Sequence, residues 1–278
     1  MVSIAGSDTR GETLETRYEI VRERIAEAAQ RSGRTAKDVM LVAVTKNAEP
    51  EDIRRLMALG HEDFGENRVQ QLGQRAAMSD EWLERVRVLR ETEGGRHGSG
   101  GEGSGLRADQ LVRWHMIGHL QRNKARKIVD LVRLVHSVDS LRLAEELQTL
   151  LRKTDRRLDV LLQVNISAED SKHGCLTPAV PAMVEQIESM YSLRLRGLMT
   201  MAPQSADPEQ SRHHFRRCRE LYEEVKAAGA GDGAFNMLSM GMSGDYEIAI
   251  EEGSNVVRVG SALFSGGNAS DETQADET

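Results

Sequence analysis

Lys46 stands just behind an apolar run, Val39–Val44, with only Thr45 between. Lysine is costly to bury, so an amine here either opens a surface loop or faces a partly enclosed cavity. In a cavity, partial burial and nearby cations would lower its pKa and leave part of it neutral. A neutral amine can attack an aldehyde and form an imine. Far along the chain are two turns rich in glycine and serine. One runs from Ser239 through Gly241, Met242 and Ser243 to Asp245, and the other is Gly260-Ser261, two residues after Arg258. Glycines let backbone N–H groups approach an anion, serine hydroxyls donate to it, and a helix start adds favourable potential. Either turn alone is commonplace.

The elements that must position these groups are legible as alternation. An opening amphipathic helix carries Leu14, Tyr18, Val21 and Ile25 at helical spacing. Apolar runs follow at Val39–Val44, Glu62–Phe64, Trp114–Ile117, Leu134–Val138, Leu158–Val164, Leu193–Thr200, Phe235–Met240 and Asn255–Val259. Asp63 makes the second of these the weakest strand. Helical segments lie between, opened by Pro50, Pro178 and Pro208. Apolar strands alternating with amphipathic helices imply a parallel sheet covered by helices. Eight such units predict a single (β/α)8 barrel of the α/β class with an extra N-terminal helix; a doubly wound sheet is the rival. A barrel places its site at the C-terminal strand ends, with phosphate in the loops after strands seven and eight. An amine after strand one and those two turns then suggest a phosphorylated carbonyl ligand. Two fit: pyridoxal 5'-phosphate (PLP), or a sugar phosphate in a cofactor-free Schiff-base aldolase.

Other strand ends say less. Gly65-Glu66-Asn67 reads as a turn and cap or as an amide aimed into the mouth. The basic residues in Gly118–Lys124 start a solvated helix or attract an anion. His115 and His173 read as satisfied or surface histidines, and no His, Cys and carboxylate spacing marks a metal site. The net charge of −7 argues against a nucleic-acid partner. Two distant cysteines fit a reducing cytosol. No apolar run approaches the roughly 20 residues that span a bilayer, and Met1–Arg10 lacks the apolar core of a signal peptide. The expected organisation is a barrel over residues 1–265, interrupted by a disordered Gly-rich insertion at about 91–105, then a disordered acidic tail at 266–278. A cytoplasmic monomer is the expectation.

Taken in order, the motifs resemble the YggS/PROSC family of PLP homeostasis proteins, related to the N-terminal barrel of alanine racemase. They are VAVTK ending at Lys46, FGENRVQ (Phe64–Gln70), WHMIGHLQRNK (Trp114–Lys124), HSVDS (His136–Ser140), QVNIS (Gln163–Ser167), SKHG (Ser171–Gly174), RGLMTM (Arg196–Met201), LSMGMSGDYEIAIEEGS (Leu238–Ser254) and VRVGSALF (Val257–Phe264). The resemblance implies that Lys46 is the Schiff-base lysine. It implies that Ser239, Gly241, Met242 and Ser243 line the phosphate side, completed by Gly260 and Ser261. Asn67 and Met201 would flank the ring, and Arg258 would face the pyridine nitrogen. The sequence departs from the pattern at His119, where proline is frequent, at Ser261, where threonine is common, and in the Gly-rich insertion.

The resemblance also frames the choice between carrier and enzyme. An arginine at the ring nitrogen can only donate, which favours the unprotonated nitrogen and weakens the electron sink. Alanine racemase shares that arginine, but takes a tyrosine base from a second domain, for which no room is expected after Phe264. The implied role is a PLP holder in vitamin B6 and amino-acid balance, with PLP-requiring apoenzymes as possible recipients and catalysis absent or weak. A single-domain PLP-dependent racemase is the enzymatic alternative.

Overall fold

In a computed structural model, residues 12–92, 109–154, 156–169, 172–203 and 205–264 are described. The acidic tail, most of the Gly-rich stretch and Ser171 lie outside them. Eight barrel strands run β1 Met40–Val44, β2 Asp63–Glu66, β3 Arg113–Met116, β4 Val132–Val138, β5 Leu158–Asn165, β6 Leu193–Met199, β7 Met237–Ser239 and β8 Val256–Val259. All pair in parallel in the order 4-3-2-1-8-7-6-5, and β4 pairs with β5 to close the ring. The fold is a (β/α)8 barrel, as expected.

The helices are α1 Leu14–Arg31, α2 Pro50–Ala58, α3 Val69–Thr92, α4 Leu141–Leu151, α5 Val180–Glu188, α6 Arg212–Ala227, α7 Tyr246–Glu251 and α8 Ser261–Phe264. Three details correct the sequence reading. The basic segment after β3 forms a 3-10 turn, Arg122–Lys127, instead of starting an α-helix. Glu91 and Thr92 belong to the end of α3. Pro178 and Pro208 sit in 3-10 turns that lead into α5 and α6.

Two large apolar clusters lie between strands and helices. One gathers α1, α2, β1, β2 and β8 around Leu14, Ile53, Phe64 and Val257. The other gathers β4–β7 with α4–α6 around Val160, Leu198, Phe215 and Leu147. The barrel interior holds a much smaller apolar group, Leu134, Leu161 and Met199, with Met201 and Met237 against it. Barrel interiors are usually filled by branched aliphatic side chains. Here much of that space is polar.

α1 and the turn after it are tied to the α7–α8 region. The Arg17 guanidinium donates to the Leu263 carbonyl at 2.7 Å, and Arg34 donates to the Ile250 and Ser254 carbonyls. Beneath α1, His61 is buried between the Tyr18 hydroxyl and the Asp63 carbonyl. Burial pushes the His61 imidazole down to about 4. The unfolded chain protonates this group below about pH 6.5 while the fold resists, so stability rises with pH across that window. Falling from pH 6.5 to 4 is expected to remove roughly 3 kcal/mol through His61 alone, 2.5 units at 1.36 kcal/mol each. Urea midpoints at pH 7.5, 5.5 and 4.5 check this, and a flat profile would contradict a neutral buried imidazole.

Candidate functional site at the barrel mouth

Strand alternation decides which side chains reach the mouth. In β1, Ala43 packs in the helix-side cluster, so Val42 and Val44 face inward and Lys46 continues their row. Thr45 turns outward: its hydroxyl donates to the Glu66 carboxylate at 2.6 Å. Arg75 of α3 bonds that carboxylate and the Thr45 carbonyl, and reaches the Ala48 carbonyl at 2.9 Å. This clamp grips the turn carrying Lys46 from both sides. Lys46 itself is exposed. That corrects the expectation of partial burial; the amine rises from the rim without being enclosed by it.

β2 extends through Glu66, two residues past the predicted end, because Asp63 is a strand residue facing the interior. Glu66 therefore belongs to the Arg75 clamp on the helix side, and Asn67 is the first residue past the strand. A Cβ on Gly118 would lie 2.3 Å from the Asn67 carbonyl oxygen, so only glycine allows the loop after β3 to press on Asn67. Met201 lies across the opening, against Leu134, Leu161 and Met199.

Arg258 sits in β8 at the register of Val42, fully inside the barrel. It donates to the Ser239 hydroxyl at 2.6 Å and to the Thr200 carbonyl at 3.0 Å. Burial pulls its pKa down to about 10, so it stays charged at neutral pH. Both these acceptors are uncharged, so neither neutralises the guanidinium. Ser239 was expected to line the phosphate side. Instead it is buried within β7, with its oxygen accepting from Arg258.

From Ser239 a chain of hydrogen bonds descends the barrel. Ser239 Oγ lies 3.0 Å from His136 Nδ1, His136 Nε2 lies 3.0 Å from His115 Nδ1, and His115 Nε2 lies 3.1 Å from Asp63 Oδ1. Arg113 closes it with two 2.7 Å bonds to the Asp63 carboxylate. The ionised Asp63 carboxylate can only accept, which with neutral imidazoles fixes the direction of every link. Ser239 then donates to His136, His136 to His115, and His115 to Asp63. Burial, then the neighbouring His115 and Arg258, hold the His136 imidazole well below its usual range, as this neutral assignment requires. Burial alone would push Asp63 up, but the bonds from His115 and Arg113 outweigh it and hold the carboxylate well below its usual range.

The loops after β7 and β8 meet beside β1. Gly241 has φ +95°, and a Cβ there would lie 2.6 Å from Ala249 Cβ and 2.8 Å from Tyr246 Cα. Met242 is exposed at the tip, its N–H donating to Asp245 Oδ1 at 2.7 Å. The Ser243 hydroxyl oxygen accepts from the Gly260 N–H at 3.1 Å and the Ala262 N–H at 3.4 Å. These backbone donors thus point at one place between the loops, where an oxygen acceptor is already accommodated. Ser261 stands between them at the start of α8. The donor set has the chemistry of a phosphate seat.

Asp63, His115 and His136 were not singled out as a group by the sequence. Nor were His119, Asp139 and His173, which the fold brings to one edge of the mouth.

Residues 19–267 match the family described as the alanine racemase N-terminal domain. A pyridoxal phosphate homeostasis protein of Pseudomonas aeruginosa is 37% identical over 245 residues, covering 88% of this chain and 91% of that protein. One from Aquifex aeolicus is 34% identical over 244 residues, covering 88% and 94%. The chain belongs to the pyridoxal phosphate homeostasis family. Among solved structures of similar proteins is PipY of Synechococcus elongatus with PLP bound, at 28% identity and a TM-score of 0.68, covering 91% of this chain and 100% of that one. Family membership and the observed barrel agree.

Proposed function

We propose that this protein binds PLP at the barrel mouth and holds it for PLP homeostasis, with Lys46 as the amine that takes the aldehyde. The observation that carries this is adjacency. β1 and β8 are hydrogen-bonded neighbours, so Lys46, Arg258 and the Gly260–Ser261 turn converge although the chain separates them widely. Bound PLP supplies an aldehyde for an amine and an electron-withdrawing pyridine ring. Gly241, Ser243, Gly260 and Ser261 seat the phosphate through N–H and hydroxyl donors. Met242 covers that seat, while Asn67 and Met201 flank the ring. Arg258 presents an N–H donor toward the ring nitrogen, and Ser239 holds Arg258 in place.

Holding, not turnover, is the reading favoured here. An arginine donor keeps the ring nitrogen unprotonated and the electron sink weak. None of the four tyrosines offers its hydroxyl as a base at the mouth. Tyr18 bonds His61, Tyr222 donates to the Phe235 carbonyl, Tyr246 lies against Arg24, and Tyr191 stacks under Arg157. The receiving partners this implies are PLP-requiring apoenzymes. No described helix is long and apolar enough to cross a membrane. Both cysteines are buried free thiols, which suits a reducing cytosol, and a monomer suffices for the site as built.

The phosphate seat gives a direct test. Ser243→Ala and Ser261→Ala are each expected to weaken PLP retention by about 1–3 kcal/mol, the scale of a lost charge-assisted hydrogen bond. Pyridoxal, which lacks the phosphate, should bind parent and variants alike. Equal PLP affinity in the double variant and the parent would place the phosphate elsewhere.

A further inference from the structure

We propose that His119, Asp139 and His173 form a site for one divalent transition-metal ion of the zinc class on the rim of the barrel mouth. The three residues follow the C-terminal ends of consecutive strands, β3, β4 and β5, so barrel closure alone brings them together. His119 Nδ1 lies 3.2 Å from Asp139 Oδ2. The His119 and His173 rings stack at 4.0 Å between centroids and 11° between planes. One ligand atom from each residue lies within 4.8 Å of the other two. Bonds of about 2.0–2.2 Å to a tetrahedral ion would bring such atoms to roughly 3.3 Å apart. The His119–Asp139 pair already has that spacing. The remaining approach falls to His119 and His173, whose exposure leaves their rings free to rotate.

The donor set decides the metal. Two imidazoles with one carboxylate suit zinc and its neighbours, while magnesium and calcium prefer oxygen ligands throughout. Three protein ligands also leave a position for water or a small anion. An ordinary His–Asp hydrogen bond would account for His119 and Asp139, but it gives no reason for a second imidazole to lie face-on against the first.

The backbone beneath each ligand is anchored. Gln163 Nε2 donates to the His173 carbonyl at 3.1 Å. Gly118, next to His119, is pressed on the Asn67 backbone too closely for any side chain. Asp139 directly follows β4 and is mostly enclosed, its side chain 13% exposed.

The test is titration of the full-length protein with Zn2+ by calorimetry, after chelator treatment, alongside Co2+ followed by visible absorption. One ion per chain is expected. His119→Ala, His173→Ala and Asp139→Asn should each weaken binding at least about tenfold. His213→Ala, in the adjacent His213–His214 pair of α6, should change nothing. Lys46→Ala should leave Zn2+ binding intact, so failure of the PLP reading and failure of this one are separable. Absence of one-to-one binding up to millimolar Zn2+, retention of it in the His119→Ala/His173→Ala double variant, or its loss in His213→Ala would each overturn the proposal.

Discussion

Lys46→Ala loses the covalent hold on PLP: the visible absorption of the loaded protein disappears, and borohydride no longer fixes any cofactor mass to the chain. Retention should fall at least about a hundredfold, on the order of 3 kcal/mol, leaving only the phosphate and ring contacts. Lys46→Arg separates charge from nucleophilicity. The guanidinium keeps the positive charge at the rim but cannot shed its proton to attack a carbonyl. It should therefore bind PLP reversibly and without borohydride fixation. Peptide mapping of the reduced parent should find the added mass on the peptide containing Lys46. Mass on a peptide containing Lys124 or Lys172 instead would overturn the assignment of the amine, and fixation in Lys46→Arg would do the same.

The second large effect is on stability and lies at the far end of the barrel. Asp63→Ala removes the terminal acceptor of the histidine chain and strips Arg113 and His115 of their shared carboxylate. Its loss leaves the buried His115 Nε2–H without an acceptor and removes both Arg113 bonds, a cost of about 2–3 kcal/mol. Asp63 is 8% exposed, so little water can substitute. Equilibrium urea unfolding at pH 7.5 measures the loss. Arg113→Ala should cost at least as much, since it leaves the buried Asp63 carboxylate with His115 alone, whereas an Arg113 left behind is 36% exposed and still reaches Glu62. The two changes should be markedly non-additive. A loss below about 1 kcal/mol for Asp63→Ala would show that the carboxylate does not anchor the chain of bonds.

The parts legible in the sequence were those where one run of residues carries its own signal. β1 and β5 read as strands because helix-covered parallel strands are apolar on both faces. Lys46, Arg258 and the two Gly/Ser turns stood out by chain position relative to those strands. β2 was placed too early because Asp63 interrupts its apolar character. A carboxylate can sit in that strand only because Arg113 and His115 meet it, and they lie some fifty residues downstream. The same separation hid the histidine chain. His115 and His136 look like isolated polar residues until β3 and β4 are paired and both are seen to point inward. Ser239 was assigned to the phosphate because it opens a Gly/Ser loop. The strand continues through it, and alternation delivers its hydroxyl to Arg258 instead. His119, Asp139 and His173 carry no recognisable spacing, since three different strand ends supply them.

The pairing of β1 with β8 also governs when a binding site can first exist. Lys46 arrives with the first barrel strand to leave the ribosome, whereas Arg258 and the Gly260–Ser261 turn arrive with the last. Arg17 reaches across 246 positions to Leu263, so even the outer helix cannot settle until then. Long-range closure of this kind is slow compared with local helix formation. The nascent chain therefore holds Lys46 without the loops that stand beside it, and a site built from both cannot form until β8 has emerged.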